Sequence, residues 1–158
     1  MHENELQAFL RERIPLSNSM DVCVRSISTR QVVLSAPIAP NLNHRDTVFG
    51  GSASALAILA AWSVVRVRMQ AEDLAGRIVI RRNSVSYEQP MVADFTATAS
   101  APDPVEWEKL RASLGRGRPG RIHVTAVLEC QGSRTGEFLG EFVVLPYADR
   151  SATASRTP

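Results

Sequence analysis

Cysteine is scarce in this chain, two residues in 158, and the two are poorly placed for chemistry. Cys23 and Cys130 lie far apart, form no CxxC pair and sit in apolar-rich segments, which reads as buried free thiols of a reducing compartment and excludes a disulfide scaffold. Histidine occurs three times, at positions 2, 44 and 123, with no cysteine or histidine close by, so the spacing of a transition-metal site is missing. A surplus of one charge is missing too. The formal net charge of +2 is too small for the clustered basic face of a nucleic-acid-binding domain. No basic stretch followed by an apolar core and a small-residue cleavage site opens the chain, so secretion is not indicated and the cytoplasm is the expected compartment. No internal repeat is visible.

What remains has an ordinary globular composition. A hydrophobic fraction of 44% beside 22% charged residues argues against disorder. A chain of this length buries roughly two thirds of its unfolded surface and needs no metal or disulfide staple. Leu6, Phe9, Leu10 and Ile14 recur at helical spacing and predict a short amphipathic helix over residues 4–15, ended by Pro15 and laid across a sheet edge. Residues 20–38 carry two Val- and Leu-rich runs broken at Ser28-Thr29-Arg30, a pair of strands. A strand follows over residues 78–87. Phe95, Ala97, Ala99 and Ala101 then alternate with polar residues in a period of two. Asp103-Pro104-Val105-Glu106 combines an N-cap, a proline at the first helical position and a capping-box acid, so a helix is expected from 104 to about 114. Residues 122–130 and 138–145 read as a closing hairpin around a turn at 132–136, and adjacent Arg81 and Arg82 should face opposite ways. One domain over residues 1–147 and a disordered tail over 148–158 complete the expectation.

One long run dominates the middle. Residues 48–65 contain no charged side chain, enough in principle for a membrane span. The run is crowded with small residues, however, and strand-like segments flank it on both sides. A helix apolar on every face must be buried somewhere, here inside a curved sheet. Six strands around one such helix give an α+β fold with the geometry called hotdog.

The polar loop, Gly-Gly, helix order bears on chemistry. The first turn of a helix exposes N–H groups that lack internal partners, and its dipole favours negative charge. A thioester carbonyl over the amides of Gly50, Gly51 or Ser52 would meet donors aimed at its developing oxyanion, although a Gly-Gly pair serves close packing equally well. Upstream, Asp46 could activate water or attack directly, while Asn43 or His44 could orient the carbonyl. The alternative is that Asp46 or Thr47 caps the helix. Arg82 and the arginines of the 115–121 loop are candidates for phosphate, or for plain solvation. His123 is expected at the surface or an interface, and Ser54 in small-residue packing.

The run Asn41-Leu42-Asn43-His44-Arg45-Asp46-Thr47-Val48-Phe49-Gly50-Gly51-Ser52, continued by Leu56-Ala57-Ile58-Leu59-Ala60-Ala61-Trp62, resembles the bacterial thioesterase domains of the hotdog superfamily. So do Ile80-Arg81-Arg82-Asn83-Ser84 and Tyr87-Glu88-Gln89-Pro90, and the likeness spans residues 15–146. In some bacteria that domain follows an acetyltransferase domain; here it is expected to stand alone. The resemblance implies a homodimer or dimer of dimers, its sheets joined edge to edge, with sites for acyl-CoA or acyl-carrier-protein thioesters at the subunit interface. Coenzyme A or phosphopantetheine would arrive as part of the substrate, with no separate cofactor and no membrane insertion.

Related thioesterases often carry a carboxylate two turns into the central helix. Here Ala57-Ile58-Leu59 stands there, which moves the catalytic burden to the loop. The resulting site is Asp46, Asn43, His44 and Gly51 for chemistry, with Phe49, Gly50, Ser52 and Arg82 against the substrate. A dehydratase or isomerase on acyl thioesters and a non-catalytic acyl-thioester binding module are the alternatives.

Overall fold

The computed structural model describes residues 1–147; the expected disordered tail, residues 148–158, lies outside the described residues. In chain order the elements are α1 (Glu3–Arg13), α2 (Pro15–Ser19), β1 (Cys23–Ile27), β2 (Gln31–Ala36), α3 (Gly50–Ala71), β3 (Arg77–Tyr87), β4 (Phe95–Ser100), α4 (Pro104–Gly115), β5 (Gly120–Cys130) and β6 (Ser133–Leu145). The strands form one antiparallel sheet in the order β1-β2-β4-β5-β6-β3, so β1 and β3 are its edges. The expected curved sheet around one long helix, the hotdog arrangement, is what the chain builds.

Alternation explains the packing. Phe95, Ala97 and Ala99 on β4, Ile122, Val124, Ala126 and Leu128 on β5, and Phe138, Phe142 and Val144 on β6 all point to one buried face. Against that face α3 sets Ala53, Leu56, Ala57, Ala60, Ala61 and Val64, all fully buried. Its alanines bring the helix backbone close to the curved sheet, while each large side chain such as Leu56 or Phe138 contributes about 1.5–3 kcal/mol relative to exposure. Among the described residues α3 is the one helix long and apolar enough to cross a membrane. It is instead the core of the sheet's concave side.

Several boundaries moved. The central helix runs on to Ala71, past the end of the uncharged run, because Arg66 and Arg68 lie along aromatic faces at the margin of the core: the Arg66 guanidinium is 3.9 Å from the Phe9 ring and that of Arg68 4.2 Å from Trp107. Pro15 not only follows α1 but opens α2 as its first residue. α1 does cover the β1 edge, where the Gln7 carbonyl accepts from the Val24 amide at 2.9 Å. Asp103 caps α4 as expected, through Val105 and Glu106 amides at 2.8 and 3.1 Å. Glu106 does not close a capping box. Its carboxylate instead accepts from the His123 amide at 3.0 Å, where β5 has run beyond the end of β4, and His123 itself lies exposed as expected. Cys130 is buried but Cys23 only half-buried, and both are free thiols. Ser54 is likewise only half-buried.

The closing hairpin turns earlier than expected, at Gln131-Gly132, whose φ angles of 52° and 75° are those of a tight two-residue turn. Gly136 is therefore a strand residue, opposite Tyr87 on one side and Leu128 on the other. The expectation that Arg81 and Arg82 diverge also fails. A bulge between Ile80 and Arg82 breaks the two-residue alternation, and both guanidiniums reach Glu141, at 2.8 and 3.3 Å.

A Cβ added at Gly136 would meet the Ser86 carbonyl oxygen at 2.6 Å, a backbone atom that cannot swing aside. Gly136→Ala should therefore push β3 from β6 and cost about 1–3 kcal/mol in urea denaturation. An unchanged midpoint would show that the two strands are not held this closely.

Candidate functional site

The N-terminus of α3 is the chemically unusual end of this fold. Phe49 occupies the N-cap position with extended backbone and offers no capping side chain. The first bond inside the helix runs from the Ala53 amide to the Phe49 carbonyl at 3.1 Å, which leaves the amides of Gly50, Gly51 and Ser52 without helical partners. The positive end of the helix dipole adds to their pull on negative charge. Neither Asp46 nor Thr47 supplies the missing cap.

The start of the helix is held by its neighbours. The Phe49 amide donates to the Asn41 carbonyl at 2.7 Å and the Val48 amide to the Met91 carbonyl at 2.9 Å. From the other side the Tyr87 hydroxyl, at the end of β3, donates to the Gly50 carbonyl at 2.8 Å, and partial burial pushes the phenol's pKa upward. Two surface cavities flank this turn. One, of about 310 Å³, is lined by Val48, Gly50, Tyr87, Glu88, Pro90 and Met91. The other, of about 300 Å³, is lined by Leu16, Met20, Asn41, Phe49, Ser52 and Ala55. The Phe49 side chain, 56% exposed, folds over Gly51, where an added Cβ would fall 2.2 Å from the ring. A cavity of similar size lies near Arg66, Leu74 and Tyr147 at the far end of α3, which is the carbonyl end of the helix.

The preceding loop folds on itself. Leu42 and Val48 form an isolated bridge, and the Asn43 amide donates to the Thr47 carbonyl at 2.8 Å. The Asn43 side chain braces the inside: its amide donates to the Thr47 hydroxyl at 2.8 Å, and its carbonyl accepts from the Arg45 amide at 2.8 Å. His44, Arg45 and Asp46 are thereby left exposed at the tip, with Asp46 in the left-handed region at φ 57°. Asp46 makes no side-chain hydrogen bond with the described residues.

Gly50, Gly51, Phe49 and Ser52 thus gather at one place, with the Asp46 tip on the adjoining loop. Arg82 does not join them. It lies on the outer face of the sheet beside Glu141, whose chain neighbours Gly140 and Phe142 face the core. Sequence reading passed over Tyr87 and Glu88 as site residues, although both stand in the family-like run Tyr87-Glu88-Gln89-Pro90; both line the first cavity, where the end of β3 crosses the start of α3. Glu88 is gripped by Arg134 at 2.8 Å, and that hydrogen bond holds its carboxyl below the usual range. Among the described residues no three His, Cys, Asp or Glu side chains come together as metal ligands.

Residues 3–146 match the sequence profile of the family described as "Putative thioesterase (yiiD_Cterm)". Among solved structures, one from Shewanella oneidensis described as a "putative thioesterase" is 28% identical, with 91% of this chain and 97% of that chain covered and a TM-score of 0.82. A protein of unknown function from Chlorobaculum tepidum is 26% identical over 91% and 94% of the two chains, with a TM-score of 0.84. A Haemophilus influenzae thioesterase, 12% identical over 95% and 94% with a TM-score of 0.75, shares the fold.

The Tyr87 bond to Gly50 should stabilise the helix start locally. Tyr87→Phe is expected to cost at most about 1 kcal/mol in global unfolding. It should also speed hydrogen exchange at Ala53 and Ser54, the first bonded amides of α3. Equal exchange in the two proteins would remove Tyr87 from this role.

Proposed function

The chain belongs to this thioesterase family, and on that footing we propose that it hydrolyses acyl thioesters of coenzyme A or of an acyl-carrier protein at the N-terminus of α3. The observation that carries the reading is the uncapped first turn of α3, opening onto a cavity on each side. The thioester carbonyl sits over Gly50 and Gly51, whose amides take the charge that builds on oxygen as water adds to the carbonyl carbon. One such donor is typically worth roughly 3 kcal/mol of barrier. Asp46 takes the proton from the attacking water, and collapse of the tetrahedral intermediate expels the thiolate of coenzyme A or phosphopantetheine, which is then protonated. His44 guides the acyl group from the loop tip. Asn43 serves by holding that tip in shape, and Phe49 and Ser52 contact the substrate.

A homodimer, or a dimer of dimers, completes the site. Support comes from β3, a sheet edge eleven residues long whose outer hydrogen-bonding side is unpaired among the described residues, with Ile80 and Tyr87 38% and 54% exposed. An edge of that length without a partner invites a second strand. The absence of a carboxylate from the first turns of α3 favours, as a second reading, a module that binds acyl thioesters without cleaving them.

A thiol-release assay across acyl-CoA and acyl-carrier-protein substrates separates the two. Wild-type turnover that falls by about 100-fold or more in Asp46→Asn, with unfolding unchanged, is the expected result. If Asp46→Asn keeps full rate while Glu88→Gln loses it, the base is Glu88. Tight acyl-CoA binding with no thiol released by the wild type would establish the binding module instead.

A further inference from the structure

The outer face of the sheet carries a charge cluster that the proposed hydrolysis does not use. Glu141, near the middle of β6 and with its side chain 8% exposed, is approached by Arg81 Nη1 at 2.8 Å, Arg82 Nε at 3.3 Å and Arg121 Nε at 3.8 Å. His123 Nε2 lies 3.9 Å away, with its other ring nitrogen 3.0 Å from Glu106. The carboxyl of Glu141 is held below its ordinary range, chiefly by the hydrogen bond from Arg81. Three guanidiniums share one carboxylate, a surplus of two positive charges among these four side chains, from which the nearby Glu106 carboxylate subtracts.

Two features distinguish this from a scattering of surface arginines. The β3 bulge re-aims Arg81 beside Arg82, which a regular strand would have placed on the opposite face. Furthermore, Glu141 engages one nitrogen of each guanidinium, while the side chains of Arg81, Arg82 and Arg121 remain 42%, 68% and 65% exposed. Only Arg81 is hydrogen-bonded to Glu141, so the N–H donors of Arg82 and Arg121 stay available at the surface, a set suited to phosphate oxygens.

We propose that this cluster is an anion site for the phosphorylated nucleotide end of a coenzyme A thioester, its 3′-phosphate seated between Arg82 and Arg121 while Glu141 holds Arg81 in place. The assignment of coenzyme A rests on the thioesterase reading. The cluster's compactness, three guanidiniums around one carboxylate, fits a phosphate ester rather than the broad acidic face of a carrier protein. Arg82 stands five residues before Tyr87 on β3, about 17 Å along the strand, and on the other face of the sheet. Arg82 is the middle residue of β3, so full antiparallel pairing of two copies of the strand would set the two clusters side by side across the two-fold axis, each about 17 Å along the strand from a Tyr87 end.

Calorimetric titration of the full chain with adenosine 3′,5′-bisphosphate tests the site without requiring turnover. Saturable binding that weakens as salt rises is expected, reduced by about tenfold in Arg82→Gln and in Arg121→Gln and less in Arg82→Lys. Both arginines are more than half exposed, so each variant should unfold at the wild-type midpoint. Adenosine 5′-monophosphate should bind more weakly than the bisphosphate. No binding by the wild type at millimolar ligand, or equal binding by the Gln variants, would overturn the site. A carrier protein that binds at the cluster while the bisphosphate fails to displace it would overturn the ligand. Hydrolysis of an acyl-pantetheine without phosphates by the wild type is the separate check on the thioesterase reading, because it needs no anion site.

Discussion

Everything in this fold depends on the burial of α3 against the concave face of the sheet. A helix so rich in alanine and so poor in charge has no stable place in water, and the sheet supplies inward Phe, Val, Leu and Ala side chains to meet it. Its first turn nevertheless lies at the margin of that cover, where Gly51 is exposed and Gly50 half-buried. The result is a helix whose body is locked and whose positive end is open. Backbone bonds to Asn41 and Met91 and the Tyr87 hydroxyl hold that end without capping it. Uncapped amides on a rigid support are preorganised for a developing oxyanion, because they need not reorient as charge appears.

The same sheet separates two kinds of electrostatics. On the concave side, positive potential comes from a helix dipole and bare amides, suited to a small charge forming within a polar bond. On the convex side it comes from whole guanidinium charges around Glu141, suited to a ligand already carrying full negative charge. A molecule with an acyl thioester at one end and phosphates at the other presents both needs at once. The β3 edge, unpaired among the described residues, joins them physically, since Arg82 stands at the middle of that strand and Tyr87 at its end beside the start of α3.

Most of the architecture was legible because its signals were local and redundant. The uncharged run of residues 48–65, the alternation of Phe95 through Ala101 and the Asp103-Pro104 start of α4 each had one physical interpretation that the packing respects. What was hidden depended on partners distant in sequence. Glu106 looked like a capping-box acid until the overhang of β5 gave it the His123 amide to satisfy. Gly136 looked like a turn residue, yet it is the close approach of Ser86 that requires a glycine there. Arg81 and Arg82 obeyed strand alternation on paper, and no local residue pattern announced the bulge that brings them together. At the site, the Gly-Gly turn could be found from sequence. Tyr87 and Glu88 stood in a run that resembles the family, but their place at the site was hidden, because it comes from where β3 ends in space.

The central claim is that the bare amides at the start of α3 receive the thioester carbonyl. Titrating ¹⁵N-labelled protein with an acyl-dethia-CoA ketone, in which a methylene replaces the thioester sulfur and the carbonyl stays in place, tests it most directly. The account predicts the largest amide shift changes at Gly50, Gly51 and Ser52, in a saturable manner. Saturable binding that leaves those three amides unmoved, with the shifts gathered at the far end of α3 near Arg66 and Leu74, would contradict it.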